Sequence, residues 1–377
     1  MLPQFIDTWF MKFLTLVAAV LVFSPVLASA PTPPTQICVD DNCQSTIVPG
    51  KGAVKWHPGH YMLVFRGDSQ SSIMTQRVPE TCKETALQGL QVKMDWGKLE
   101  NGKGSYDFSR VDEIYDGLEA CGKHLVLQIQ VANFNSTDPT GLVPGYLLTD
   151  AEYNGGVAKT RTGYIAQLWQ EPVMTRLIAL GAALGARYDN RPSFEGIVLA
   201  ETATGQVADG YGFTGTAYIG QLERGIASMV AVWPTTNVIV FNNYIQGVSD
   251  AQFIDFVKFL RSNRSTMGGP DTLPPPHSST MGERIYRGEL GGVDLRGLMP
   301  AMFAVQTPEL GGKEGTFSPR QLYDHCVGTN QCSHMFWIRN MASGGVEQNW
   351  DTGILPFLRT NPRTSQACPA NYAGCAN

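Results

Sequence analysis

The stretch Phe194-Glu-Gly-Ile-Val-Leu-Ala-Glu-Thr-Ala-Thr-Gly205 passes abruptly from apolar to polar. Ile197, Val198, Leu199 and Ala200 make a short continuous apolar run, the pattern of a strand buried on both faces, and the Thr, Ala and Gly residues after them read as loop. Glu201 therefore stands at the carboxyl end of a parallel strand. In a barrel of alternating strands and helices the loops at that end converge on one cavity, so a carboxylate there is a candidate for chemistry. The competing reading is a solvated rim residue or an ion-pair partner.

Outward from this strand the chain keeps alternating strand-like and helix-like segments. Residues 59–65, 90–96 and 125–130 read as strands 1 to 3, the opening stretch as strand 4, and residues 237–244, 266–271, 298–305 and 332–338 as strands 5 to 8. In strand 2, Leu90, Val92, Met94 and Trp96 share one face and Gln91, Lys93 and Asp95 the other. Gln128 and Gln130 share a face of strand 3, which points to a polar-lined barrel interior. Between strands, apolar residues recur at helical spacing, as in Val111, Ile114, Tyr115 and Leu118, or Leu177, Leu180, Leu184 and Tyr188. Gly181 and Gly185 in the latter are expected to let that helix approach the barrel closely. The rhythm predicts an α/β fold, a (β/α)8 TIM barrel, in preference to an open doubly wound sheet. No glycine-rich phosphate-binding motif follows any strand, so no nucleotide cofactor is expected.

A formal charge of −5 with 43% hydrophobic and 16% charged residues describes a folded chain with a large core. There is no Lys/Arg run, which argues against a nucleic-acid surface or a patch for anionic membranes. The beginning of the chain has the pattern of a secretory signal: Lys12, the apolar stretch Phe13 to Phe23, and the small-residue end Val26-Leu-Ala-Ser-Ala30. Pro31 disfavours a cut after Ala30, which favours one after Ala28. The expected organisation is signal 1–28, extended arm 29–54, barrel 55–350, and a closing segment with a disulfide-pinned tail, 351–377. Because the apolar stretch is too short to span a bilayer and no other is longer, the mature chain is expected to be secreted or periplasmic, with no membrane span.

Eight cysteines in an exported chain suggest four disulfides. Local spacing pairs Cys38 with Cys43, Cys326 with Cys332 and Cys368 with Cys375. Cys82 and Cys121 remain, on helices that neighbour each other in a barrel's outer ring. No CxxC or His pair accompanies the cysteines, so no metal is expected; His57 and His60, flanking the start of strand 1, read as structural caps.

Several short motifs, taken in order, carry a resemblance. Trp96-Gly-Lys-Leu-Glu100, Tyr106-Asp-Phe-Ser109 and the Gly122 to Gln128 segment, with Trp169 to Tyr188 and the closing Phe336-Trp337, resemble the (β/α)8 glycoside hydrolase clan of β-galactosidases, xylanases, cellulases and mannanases. The resemblance runs from about residue 55 to 345. It implies a carbohydrate substrate, an acid/base glutamate ending strand 4 and a nucleophilic glutamate ending strand 7. Glu201 matches the first position and Glu309, in Gln306-Thr-Pro-Glu309, the second. Ala200 stands where the clan usually has Asn. Glu289 and Asp271 are the reserve carboxylates. The resemblance also points to Trp337 as an aromatic floor for the sugar, and to Asn242, Asn243 and Tyr244 at the end of strand 5. Asp95, Trp96, Gln128, Gln130 and Asn133 are candidates for binding sugar hydroxyls, and each reads equally well as a satisfied interior group.

The chemistry requires two carboxyls whatever the family. Breaking a glycosidic bond develops positive charge at the anomeric carbon while the leaving oxygen needs a proton, so a carboxylate and a carboxylic acid must flank the bond. A retaining enzyme sets them about 5–5.5 Å apart and an inverting one about 6.5–9.5 Å. The resemblance favours retention. The Ala200 and Gln306 departures keep a second reading open, a carbohydrate-binding barrel without an effective nucleophile; a polysaccharide lyase is a third. Residues 131–173, the longest connection, are expected to wall the cleft through Trp169, Tyr146 or Tyr153.

Overall fold

The computed structural model describes residues 53–64, 68–134, 136–275, 280–306, 317–339, 348–370, 372 and 374–376. Eight parallel strands close a barrel in sequence order: Gly59–Val64 (β1), Leu87–Asp95 (β2), His124–Gln130 (β3), Phe194–Glu201 (β4), Asn237–Phe241 (β5), Thr266–Gly269 (β6), Ala301–Val305 (β7) and His334–Ile338 (β8). Helices Val78–Lys83 (α1), Ser109–Glu119 (α2), Glu171–Tyr188 (α3), Gly215–Val232 (α4), Asp250–Ser262 (α5), Met281–Tyr286 (α6), Pro319–Tyr323 (α7) and Leu355–Thr360 (α8) follow the strands in turn. The chain is a (β/α)8 barrel, as its periodicity predicts.

The alternation of β2 survives intact. Leu90, Val92 and Met94 pack toward the helices, whereas Gln91, Lys93 and Asp95 face the interior. Register pairs Lys93 with Gln128 of β3, so the two polar faces meet, and Gln91 Nε2 donates to Gln128 Oε1 at 2.9 Å. Such a bond is needed where both side chains are fully buried, because an unpaired amide in a dry interior is costly. Around them, the interior is filled by aromatic rings from opposite walls: Tyr61 of β1 and Phe241 of β5 meet Phe336 of β8 at centroid distances of 5.7 and 6.1 Å. The barrel is packed, with its chemistry displaced to its two ends.

The helices read from spacing are all present, and their apolar residues are the buried ones. Leu177, Leu180 and Leu184 of α3 are fully buried, each contributing about 2 kcal/mol of transfer free energy. The glycines of this helix serve a different contact from the one expected. A Cβ on Gly181 would sit 2.1 Å from Met229 Sδ, and one on Gly185 would sit 2.6 Å from the Val232 carbonyl. The close approach is to α4, the next helix in the ring, rather than to the barrel.

The connection at 131–173 is structured. Ala132–Asn133, Tyr164–Ala166 and Val157–Lys159 form a three-stranded antiparallel sheet, with a helix at Gly145–Thr149 beside it. At the opposite pole, Val54–Lys55 pairs in parallel with Cys375–Ala376 and so covers the barrel floor. Disulfides Cys82–Cys121, Cys326–Cys332 and Cys368–Cys375 are formed. The first joins α1 to the end of α2 with Cα atoms 5.6 Å apart, as neighbouring outer helices allow. Cys38, Cys43 and the signal segment lie outside the described residues. No described helix is long and apolar enough to cross a membrane.

Candidate active site at the carboxyl ends of the strands

Strand parity alone would turn Glu201 away from the cavity. Val198 faces inward opposite Ile239 of β5, and two-residue alternation from there puts Ala200 inward and Glu201 outward. A register shift between Val198 and Glu201 resets the pairing, so that Glu201 stands opposite the inward-facing Phe241. A bulge of this kind re-aims a side chain without altering the strand's path. Glu201 consequently reaches the mouth of the barrel, where it lines a cavity of about 340 Å³ with Phe134, Ala203, Gly205, Asn243 and Tyr244.

Asn243 Nδ2 donates to Glu201 Oε1 at 2.8 Å. Lys93 and Asp271 act on the same carboxyl electrostatically. Burial is the largest influence and pushes the Glu201 carboxyl above the ordinary carboxylate range; Lys93 and then the Asn243 bond oppose it, and Asp271 adds to it. The Lys93 ammonium is itself held below the usual lysine range by burial, partly offset by Glu201 and Asp271. Its Nζ donates to Gln306 Oε1 at 3.2 Å, and Gln306 Nε2 donates to the Pro270 carbonyl at 2.7 Å. One cation thus stands between the ends of β4, β6 and β7. A carboxyl that holds its proton more tightly than usual, beside a cavity, is placed for proton transfer.

The candidates for sugar binding distribute unevenly around this cavity. Asn243 and Tyr244 belong to it, and the ring of Tyr244 is 64% exposed. Asn242 is buried in the wall, its Nδ2 donating to the Val240 carbonyl at 2.9 Å. Trp337 faces outward, where its Nε1 donates to His60 Nδ1 at 3.0 Å and its ring meets Phe357 of α8. Trp96 is fully buried and donates to Glu100 Oε2 at 2.8 Å, within a network in which Arg176 Nη2 and Tyr146 Oη bond to Glu100 Oε1. Asn133 Oδ1 accepts from the Tyr164 amide at 2.8 Å, and Gln130 Nε2 turns to the Ala132 carbonyl at 2.6 Å. Gln128 is taken up by Gln91. Asp95, at the end of β2, lies 3.8 Å from Lys98 Nζ. Glu289 is on the outer ring, paired with Arg287 at 2.6 Å. Glu309 lies outside the described residues.

The cleft wall from residues 131–173 is Phe134. Tyr146 and Tyr153 meet edge to face, with centroids 5.5 Å apart, and Trp169 donates to the Tyr211 carbonyl at 2.9 Å from a buried position. Lys93 and Phe134 were not singled out by sequence. Lys93 had a signal, since a lysine on the same strand face as Gln91 and Asp95 must enter the barrel; Phe134 had none.

No family model matches the sequence, and no curated protein matches it. Solved structures do. The catalytic domain of the β-amylase from Paenibacillus polymyxa aligns over 76% of this chain and 93% of its own, at 8% identity and a TM-score of 0.50. The β-galactosidase from Rahnella sp. R3 aligns over 84% of this chain and 57% of its own, at 12% identity and a TM-score of 0.56. The fold is that of the (β/α)8 glycoside hydrolases. A second β-galactosidase, from the psychrophilic Marinomonas ef1, aligns over 74% of this chain and 53% of its own, at 9% identity and a TM-score of 0.50. This barrel therefore spans little more than half the length of those galactosidases. At such identities the likeness to glycoside hydrolases is one of fold, and the chemistry rests on the residues around Glu201.

Proposed function

We propose that the chain is a secreted glycoside hydrolase acting on a poly- or oligosaccharide, with Glu201 as its acid/base. The observation that carries this reading is the placement of Glu201: a bulge turns it into the mouth of the barrel, burial keeps it protonated above the ordinary range, and Asn243 fixes its orientation. Protonated Glu201 gives its proton to the glycosidic oxygen as that bond breaks. In the retaining course Glu309 attacks the anomeric carbon, and Glu201, now ionised, takes a proton from the water that releases the sugar. Asp271 is the reserve for the second carboxylate, because it already acts on both Glu201 and Lys93. Tyr244 and Phe134 offer exposed ring faces on which a pyranose can stack. The disulfides fit an oxidising, extracellular destination.

A second reading, a sugar-binding barrel without turnover, is favoured by Gln306, a neutral residue at the end of β7 bonded to Lys93. The test is release of reducing sugar from a polysaccharide panel, followed by mass spectrometry, for the wild-type chain and for Glu201→Gln. Turnover that falls by about a thousandfold or more in the variant, with sugar binding retained, supports the hydrolase. Binding without turnover in the wild type supports the second reading.

A further inference from the structure

The barrel's amino-terminal pole holds a second gathering of chemistry-bearing side chains. β4 carries Glu195 near its amino end as it carries Glu201 at its carboxyl end, and a further register shift, between Phe194 and Gly196, interrupts its pairing there. Glu195 is fully buried. His57 Nδ1 lies 2.7 Å from its Oε2, and His334 Nε2 lies 3.1 Å from its Oε1. The His57 amide and Asn237 Nδ2 also donate to Oε1, at 3.0 and 3.4 Å. The ring of His124, the first residue of β3, stacks on His57 with centroids 3.7 Å apart and planes at 17°.

Capping accounts for part of this cluster only. His124 Nδ1 is buried and has no hydrogen-bond partner among the described residues, an arrangement that wastes a polar atom unless something else binds it. The stacking sets two imidazole rings side by side, and each ring offers a nitrogen lone pair to a metal ion. The nearby Lys55 ammonium is directed to the carbonyls of Asp189 and Arg191 at 2.8 and 3.0 Å rather than to Glu195. The ligand atoms of His57, His124 and Glu195 all lie within 4.8 Å of one another.

We propose that His57, His124 and Glu195 bind one divalent transition-metal ion of the zinc, cobalt, nickel or copper class at the amino-terminal pole of the barrel. Two imidazoles and one carboxylate suit these borderline ions, whereas calcium and magnesium require sets built from oxygen. Tetrahedral coordination with bonds of about 2.0–2.2 Å sets donors about 3.3–3.6 Å apart, so His57 Nδ1 and Glu195 Oε2 open from 2.7 Å when the ion enters, while donor pairs that stand wider, up to 4.8 Å, close. The proton between His57 Nδ1 and Glu195 Oε2 leaves to solvent as the ion takes its place. His334 and Asn237, on the other oxygen of Glu195, are positioning residues that hold the carboxylate in orientation. His57 is partly exposed, which supplies an entry path and a position for water as the fourth ligand. Because the three ligands come from the segment before β1, from β3 and from β4, the ion ties the covering arm to the barrel floor.

The experiment uses the full mature chain, stripped with chelator and titrated with Co²⁺ and with Zn²⁺ by calorimetry, visible absorption and X-ray absorption. One ion per chain is expected, with the visible bands of four-coordinate Co²⁺, nitrogen and oxygen ligands, and a raised thermal midpoint. His124→Gln removes a ligand without breaking any hydrogen bond at Nδ1, so its metal-free midpoint stays close to wild type while affinity falls by about 100-fold or more. His57→Gln should weaken binding similarly, and Glu201→Gln should leave it unchanged. A wild-type chain that binds neither ion at millimolar concentration overturns the proposal, as does binding by both histidine variants that is as tight as in the wild type.

Discussion

Asn243, just beyond β5, and Glu201, the last residue of β4, are joined by a hydrogen bond of 2.8 Å. The bond does two things at once. It fixes the rotamer of the carboxyl at the cavity, and, because the amide donates, it favours the ionised form. It therefore opposes the rise that burial imposes on the Glu201 carboxyl.

Asn243→Ala tests this directly. Removing the donor raises Glu201 further, so the alkaline limb of kcat/KM, which on the proposed role reports loss of the Glu201 proton, should move to higher pH. A pH–rate profile on the substrate found in the polysaccharide screen reads it. An unmoved limb would exclude Glu201 as the titrating acid.

Lys93→Met should act in the same direction and further. Lys93 is the larger of the two influences that lower Glu201, and its loss leaves the repulsion from Asp271 without that opposing cation. The alkaline limb is expected above that of Asn243→Ala, and activity at neutral pH should become salt-dependent as counterions substitute for the ammonium. A Lys93→Met limb that coincides with that of the wild type would show that Lys93 does not act on Glu201.

His60 makes acid stability a local question. It is fully buried, accepts from Trp337 at Nδ1 and donates from Nε2 to the Asn361 carbonyl, and burial lowers it from 6.5 to about 4. The folded state binds this proton less readily than the unfolded state, so the stability it confers is complete above pH 6.5 and is lost as pH falls from there toward 4. The loss amounts to about 3 kcal/mol. Urea unfolding of wild type and His60→Gln from pH 7 to 4 should show a shallower decline in the variant.

Removing the Cys82–Cys121 disulfide as a double Ala variant should destabilise by about 4 kcal/mol in the chain-entropy picture. The sequence separation of 39 residues sets that magnitude. The short Cys326–Cys332 loop, with a separation of 6, should cost less when opened in the same way. Denaturant midpoints under oxidising conditions compare the two, and a reversed order would show that strain or packing, not loop entropy, governs them.

Local periodicity determined most of the fold. The order and approximate limits of all eight strands, the faces of β2, the helical stripes and the pairing of Cys82 with Cys121 follow from residues close in sequence, because alternation by two and by 3.6 is written into each segment separately. So does the location of Glu201 at a strand end. What the periodicity could not carry is direction after an irregularity. The shift between Val198 and Glu201 turns Glu201 inward against its strand parity, and it exists only as a pairing with β5. Trp337, read as a sugar platform, alternates the other way and meets α8, while Phe134 enters the cleft from a loop with no periodic signal. The convergence of Lys93, Asp271 and Gln306, and of His57, His124 and Glu195 at the opposite pole, joins residues tens to hundreds of positions apart. Only closure of the barrel brings such residues within reach, because parallel register sets every strand's two ends at two common poles.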